Sequence, residues 1–114
     1  MRETAGGDST EITAVFDELV ELLGERDPDV RAGKMFGMPT IMCGRKAIAG
    51  LTHGEMVFKL TGPEHGQALG LAGAHLFDPG EMGRPMKQWV VVPTAHLERY
   101  EELAEAALLD VRNG

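Results

Sequence analysis

Between residues 30 and 60 the chain is cut into short β-prone pieces by glycine-containing turns at Gly37, Gly44 and Gly54. Short pieces joined by tight glycine turns pair antiparallel with their neighbours, so this stretch predicts a sheet built from hairpins. The expected strands cover 30–36, 40–43, 46–51 and 56–60, with a bend or bulge at Gly37-Met38-Pro39. In the last of these, Met56, Phe58 and Leu60 share one face while Val57 and Lys59 share the other. That alternation turns Lys59 away from the main core.

Helical patterns stand on either side. After a tail expected to be disordered over 1–10, with Ser9 or Thr10 as cap, Ile12, Val15, Phe16, Leu19, Val20, Leu22 and Leu23 recur at three- and four-residue spacing. Asp17, Glu18 and Glu21 are left for the wet face, which predicts an amphipathic helix ending near Gly24. Thr61 or Gly62 opens a short middle helix with Pro63 in its first turn, where a missing N–H costs nothing. Residues 74–78 read as a further strand, 78–83 as a loop, and 87–92 as a strand apolar on both faces. Such a strand is either covered on both sides or meets a partner with its second face. Thr94 then caps a final helix whose stripe is Leu97, Tyr100, Leu103, Ala104, Ala107, Leu108 and Val111. The order predicts one α+β domain over 11–114: an antiparallel sheet of hairpin strands with an N-terminal helix, a short middle helix and a C-terminal helix.

The formal charge of −7 is unevenly spread. Residues 1–29 hold two basic against nine acidic side chains, and 91–114 hold two against five. The middle, 30–90, carries seven basic residues against four acidic ones. Acidic ends disfavour nucleic acid, whose binding draws on a concentrated positive surface. The short polar N-terminus has no apolar leader, and no run approaches the ~20 apolar residues that span a bilayer, so the expectation is a cytoplasmic chain without a membrane anchor.

The segment Lys34-Met35-Phe36-Gly37, the glycine turn at Gly44, the strand ending in Lys59, the late strand around Trp89 and the terminal helix together resemble the TfoX N-terminal domain family, over roughly residues 12–111. In that family the domain occurs alone or ahead of a separate C-terminal helical domain, in regulators of natural competence. The resemblance implies a mixed α/β fold, a regulatory or protein-binding role, and no catalytic residues to carry over.

The residues themselves offer little chemistry. His53, His65, His75 and His96 lack the spacing of a helical zinc motif, and Ser9 is the only serine, in no nucleophile elbow. Cys43, the only cysteine, reads as a small core residue. No cofactor and no metal is expected, and no catalytic set. The expected contact surface is basic: Arg84 and Lys87 in the loop before Trp89, with Lys34 and Lys59 on the open face of the sheet. Arginine's planar fork suits carboxylates and phosphates. The sequence therefore reads as a non-enzymatic regulatory or protein-interaction module that meets an unidentified protein. The alternative is a small-molecule or anion-binding domain with a cationic site at Arg84, Lys34 and Lys59. Self-association into a homodimer through an uncovered sheet face or edge is the further expectation.

Overall fold

A computed structural model describes residues 4–35, 37–79, 83 and 85–113, the side chains of 4–10 excepted. The chain runs α1 (Thr4–Arg26), β1 (Val30–Met35), β2 (Met38–Cys43), β3 (Lys46–Thr52), β4 (Glu55–Lys59), α2 (Gly62–Leu69), β5 (His75–Phe77), β6 (Met86–Val92), a 3-10 turn (Thr94–Arg99) and α3 (Tyr100–Asn113). The fold is α+β, with one six-stranded sheet in the order β1-β2-β3-β4-β6-β5. Every neighbouring pair is antiparallel.

The hairpins follow from their turns. Cys43↔Lys46 and Thr52↔Glu55 close two-residue loops. In the second, His53 and Gly54 have φ of 49° and 77°. Two successive positive φ values define the type I′ turn, whose twist matches that of the flanking strands. Strand β2 starts at Met38, ahead of the expected Thr40, because β1 pairs with it as far as Met35↔Met38. Its ladder with β3 starts only at Thr40↔Gly50. Pro39, which has no N–H to give, marks that boundary.

The three helices cover one face. Ile12, Phe16, Leu19 and Leu23 of α1, Ala68 of α2, and Leu103, Ala104, Ala107 and Leu108 of α3 pack with Ile41, Ile48, Met56, Phe58, Val90 and Val92 of the sheet. Helix α1 begins at Thr4, ahead of the Ser9 or Thr10 cap read from the sequence, although its packed stripe starts at Ile12. The last helical stretch is not continuous. At His96 (φ −111°, ψ 30°) the backbone leaves helical values, and the His96 ring is held by the Ala72 carbonyl at 2.9 Å.

Among the described residues no helix covers the other face, yet its apolar residues are hidden. Met38, Val57, Phe77, Trp89 and Val91 form a second buried cluster, with Trp89 only 6% exposed and Val91 3%. The sheet hides them by curling. Three strands separate β2 from β5, about 19 Å across a flat sheet at ~4.8 Å per step. Nonetheless Met38 of β2 and Phe77 of β5 line one hollow. Register shifts at Ile41/Met42 and Leu76/Phe77 supply bends, as bulges do. Gly50 lets the curl close: a Cβ there would sit 2.7 Å from Met38 Cε, so the Met38 side chain lies across β3 where a larger residue would stand.

A polar clasp ties the chain's ends together. Asp27, 5% exposed, accepts from the Asp29 N–H at 2.9 Å and pairs with Arg112 of α3 at 3.2 Å. Cys43 Sγ lies 3.8 Å from the same carboxylate. Burial, then the Asp27 charge, push the Cys43 thiol above its ordinary pKa, so it sits in the fold as an inert thiol. Among the described residues no helix is long and apolar enough to cross a membrane.

Candidate functional site

Of the described basic residues singled out from the sequence, Lys34 stands apart from Lys59 and Lys87. Lys34 pairs with Pro39, so it shares a face with Ala32 and Ile41, on the helical side of the outermost strand. Lys59 follows Val57 on β4 and therefore belongs to the opposite, open face. It pairs with Trp89, and Lys87 lies two residues before Trp89, so Lys59 and Lys87 share one end of the β4–β6 pair. The Lys87 carbonyl accepts from the His65 ring at 2.7 Å. Lys59 also lines a shallow hollow of about 270 Å³ with Lys46, Thr61, Gln88 and Asp110, where Asp110 accepts from the Thr61 N–H at 2.8 Å. Arg84 lies outside the described residues. An anion site needing Lys34 beside Lys59 has no geometric basis, because β2 and β3 lie between their strands and their Cβ positions fall on opposite faces.

The open sheet face is not a bare apolar patch either. Among the described residues the exposed large hydrophobics are Leu69 and Leu109, both on helices. The two-sided apolarity of β6 is satisfied within the chain, by α-helices on one side and by sheet curl on the other. The free edges are also blunted. β5 is three residues long, and β1 carries Arg31 and Lys34, as edge strands that resist pairing commonly do.

Two other surfaces gather chemistry. The first is a groove of about 500 Å³ between α1 and α3, with Val15, Leu19, Leu22, Leu97 and Tyr100 as its apolar floor. Glu18, Glu21 and Glu25 line it from α1, and Glu98 and Glu101 from the α3 side; all five are exposed. None of them forms an ion pair with a described residue. The nearby arginines are committed elsewhere: Arg26 to Glu105, Arg99 to Glu102 at 2.9 Å, and Arg112 to Asp27 and Asp29. Each acidic stripe is legible in the sequence, but the packing that places the two side by side is not.

The second is the hollow inside the curl, about 530 Å³, which sequence reasoning missed. Met38, Leu76, Phe77 and Val91 make its apolar part, and Thr52, His53, Glu55, His75 and Asp78 its polar part. His53 and Glu55 come from the β3–β4 turn and His75 and Asp78 from β5 and its end, so only the sheet order brings them together. One signal was available: a histidine in a turn position that asks for asparagine, aspartate or glycine. Among the described residues, no three His, Cys, Asp or Glu side chains are grouped to hold a metal ion. No family model, curated protein or solved structure matches the chain.

Proposed function

We propose that the chain is a non-enzymatic protein-interaction module, of the regulatory kind that a resemblance to the TfoX N-terminal domain implies, and that it meets its partner through the α1–α3 groove. One observation carries this reading: five exposed glutamates, none ion-paired with a described residue, flank a partly buried apolar floor. Leu22, Leu97 and Val15 are already partly withdrawn from water, so a helix laid between α1 and α3 completes their burial. The carboxylates around them favour a partner that is basic on the flanks of its apolar stripe. Each exposed charge contact is worth about 0.2–1 kcal/mol, so the charges select the partner while the apolar floor holds it.

The test is a nuclear magnetic resonance titration with an amphipathic helical peptide carrying leucine at i, i+3, i+4 and i+7 and lysine elsewhere. Expected are shifts at Leu22, Leu97 and Glu98 and an affinity that falls as salt is raised. The double variant Glu21→Gln, Glu98→Gln should bind several-fold more weakly. Equal binding of a peptide with glutamate in place of every lysine would refute the reading.

A further inference from the structure

Beyond the groove, we infer that the hollow inside the curled sheet is a binding site for a small organic cation: an ammonium or guanidinium group on a short apolar body. Its volume, about 530 Å³, falls within the ~300–1,000 Å³ of ordinary small-molecule sites.

The polar groups around it include two carboxylates and the Nε2 of a histidine. Glu55 lies on the open face by its pairing with Thr52, is half-buried, and has no hydrogen bond or ion pair with a described residue. The His75 ring is 3.2 Å from the Gly73 carbonyl through Nδ1, and a carbonyl can only accept. Nδ1 therefore carries the proton, and in the neutral ring Nε2 is left as an acceptor. The His53 ring lies 3.2 Å from Thr52 Oγ1 through Nδ1, a hydroxyl that can give or take the proton, and its Nε2 has no described partner. Asp78 lines the hollow too, its carboxylate already accepting the Gly83 N–H at 3.0 Å. Among the described residues no lysine or arginine lines the hollow. A ligand that donates hydrogen bonds and carries positive charge fits the described lining better than an anion does.

The apolar part suits the body of such a ligand. Met38 is unbranched and polarizable and adapts to a flat ring, and Leu76, Phe77 and Val91 add apolar surface. Backbone conformation adds a separate indication. Among the described residues His53 is the one non-glycine with positive φ, and it lines this hollow. A strained residue at the mouth of a cavity is where a fold holds a functional side chain at some cost in stability.

The experiment compares two probes of the same shape and opposite charge, tryptamine and indole-3-acetate, by amide shifts of the whole chain. Tryptamine should shift Thr52, Glu55, His75 and Val91 saturably, and indole-3-acetate should bind at least tenfold more weakly. Glu55→Gln, which keeps the shape and removes the charge, should weaken tryptamine about tenfold and leave indole-3-acetate no weaker than before. Equal affinity for both probes, full tryptamine affinity in the variant, or no saturable shift at these residues overturns the assignment. The probe pair is read on the unaltered chain, so that arm does not depend on a variant folding. The peptide groove lies on the helical face, so either site can fail while the other stands.

Discussion

Tyr100 is the chain's only tyrosine and Trp89 its only tryptophan, so one side chain can be titrated and another used to follow unfolding, each without interference. The Tyr100 hydroxyl donates to the Val92 carbonyl at 2.6 Å, and the residue is 1% exposed. Its ring meets Phe58 edge-on, centroids 5.3 Å apart. Burial, with a smaller push from the Glu55 charge, raises its pKa from 10.0 to about 12. Below pH 9 the phenol is neutral in both states, and Tyr100→Phe removes one buried hydrogen bond, a cost of about 1 kcal/mol. Above pH 10 the unfolded chain loses the proton first. The folded state of the native chain then weakens by about 1.4 kcal/mol per pH unit until the folded pKa is reached, roughly 2.7 kcal/mol in all. Tyr100→Phe has no such loss, so the two stabilities should cross near pH ~10.7. Urea unfolding followed by Trp89 fluorescence from pH 8.5 to 11.5 measures the gap, and every other titrating group cancels in the difference. Tyrosinate absorbance should show ionisation displaced well above pH 10 in the folded chain. A gap that stays constant over this range, or a folded midpoint near 10, would mean that the phenol is not sealed under α3 as described.

His53→Asn should raise stability by about 0.5 kcal/mol, because asparagine enters the left-handed region more readily, and calorimetry should register a midpoint higher by a few degrees. The same change should weaken tryptamine, and a lowered midpoint would deny strain in the turn. Cys43 should resist a disulfide reagent at pH 8 in the folded chain and react at the rate of an ordinary thiol in urea. Prompt reaction without urea would contradict its burial against Asp27.

Periodicity reached the local structure and stopped where packing begins. The stripes of α1 and α3, the turns at Gly44 and Gly54, and the placing of Val57 opposite Phe58 were all legible, because each rests on spacing within one element. The starts of β2 and β6 shifted from the reading because a neighbouring strand extends them: β1 holds Met38, and Phe77 pairs with Met86. The break at His96 was illegible since it depends on Ala72, distant in sequence. The spatial grouping of the candidate residues was illegible for the same reason. Lys34 and Lys59 share a charge but not a face, and that depends on register. His75 and Glu55 share a hollow only because β6 inserts between β4 and β5.

The doubly apolar strand shows how the two candidate surfaces are connected. A sheet with helices on one side ordinarily leaves the other to water or to a partner, and Trp89 with Val91 would make that face adhesive. Curling satisfies both residues within the chain, aided by Met38 lying over Gly50, and the adhesive face disappears. The same curl brings β5 round toward the β3–β4 turn and leaves a polar-mouthed hollow between them. With that sheet face curled over, an apolar surface left to complete is the floor between α1 and α3, where glutamates without a described ion-pair partner decide what can settle there. Enlarging Gly50 is therefore informative about both sites. Gly50→Val displaces Met38 and opens the curl, which should abolish amine binding in the hollow. Peptide binding at the groove, built on the opposite face, should be retained.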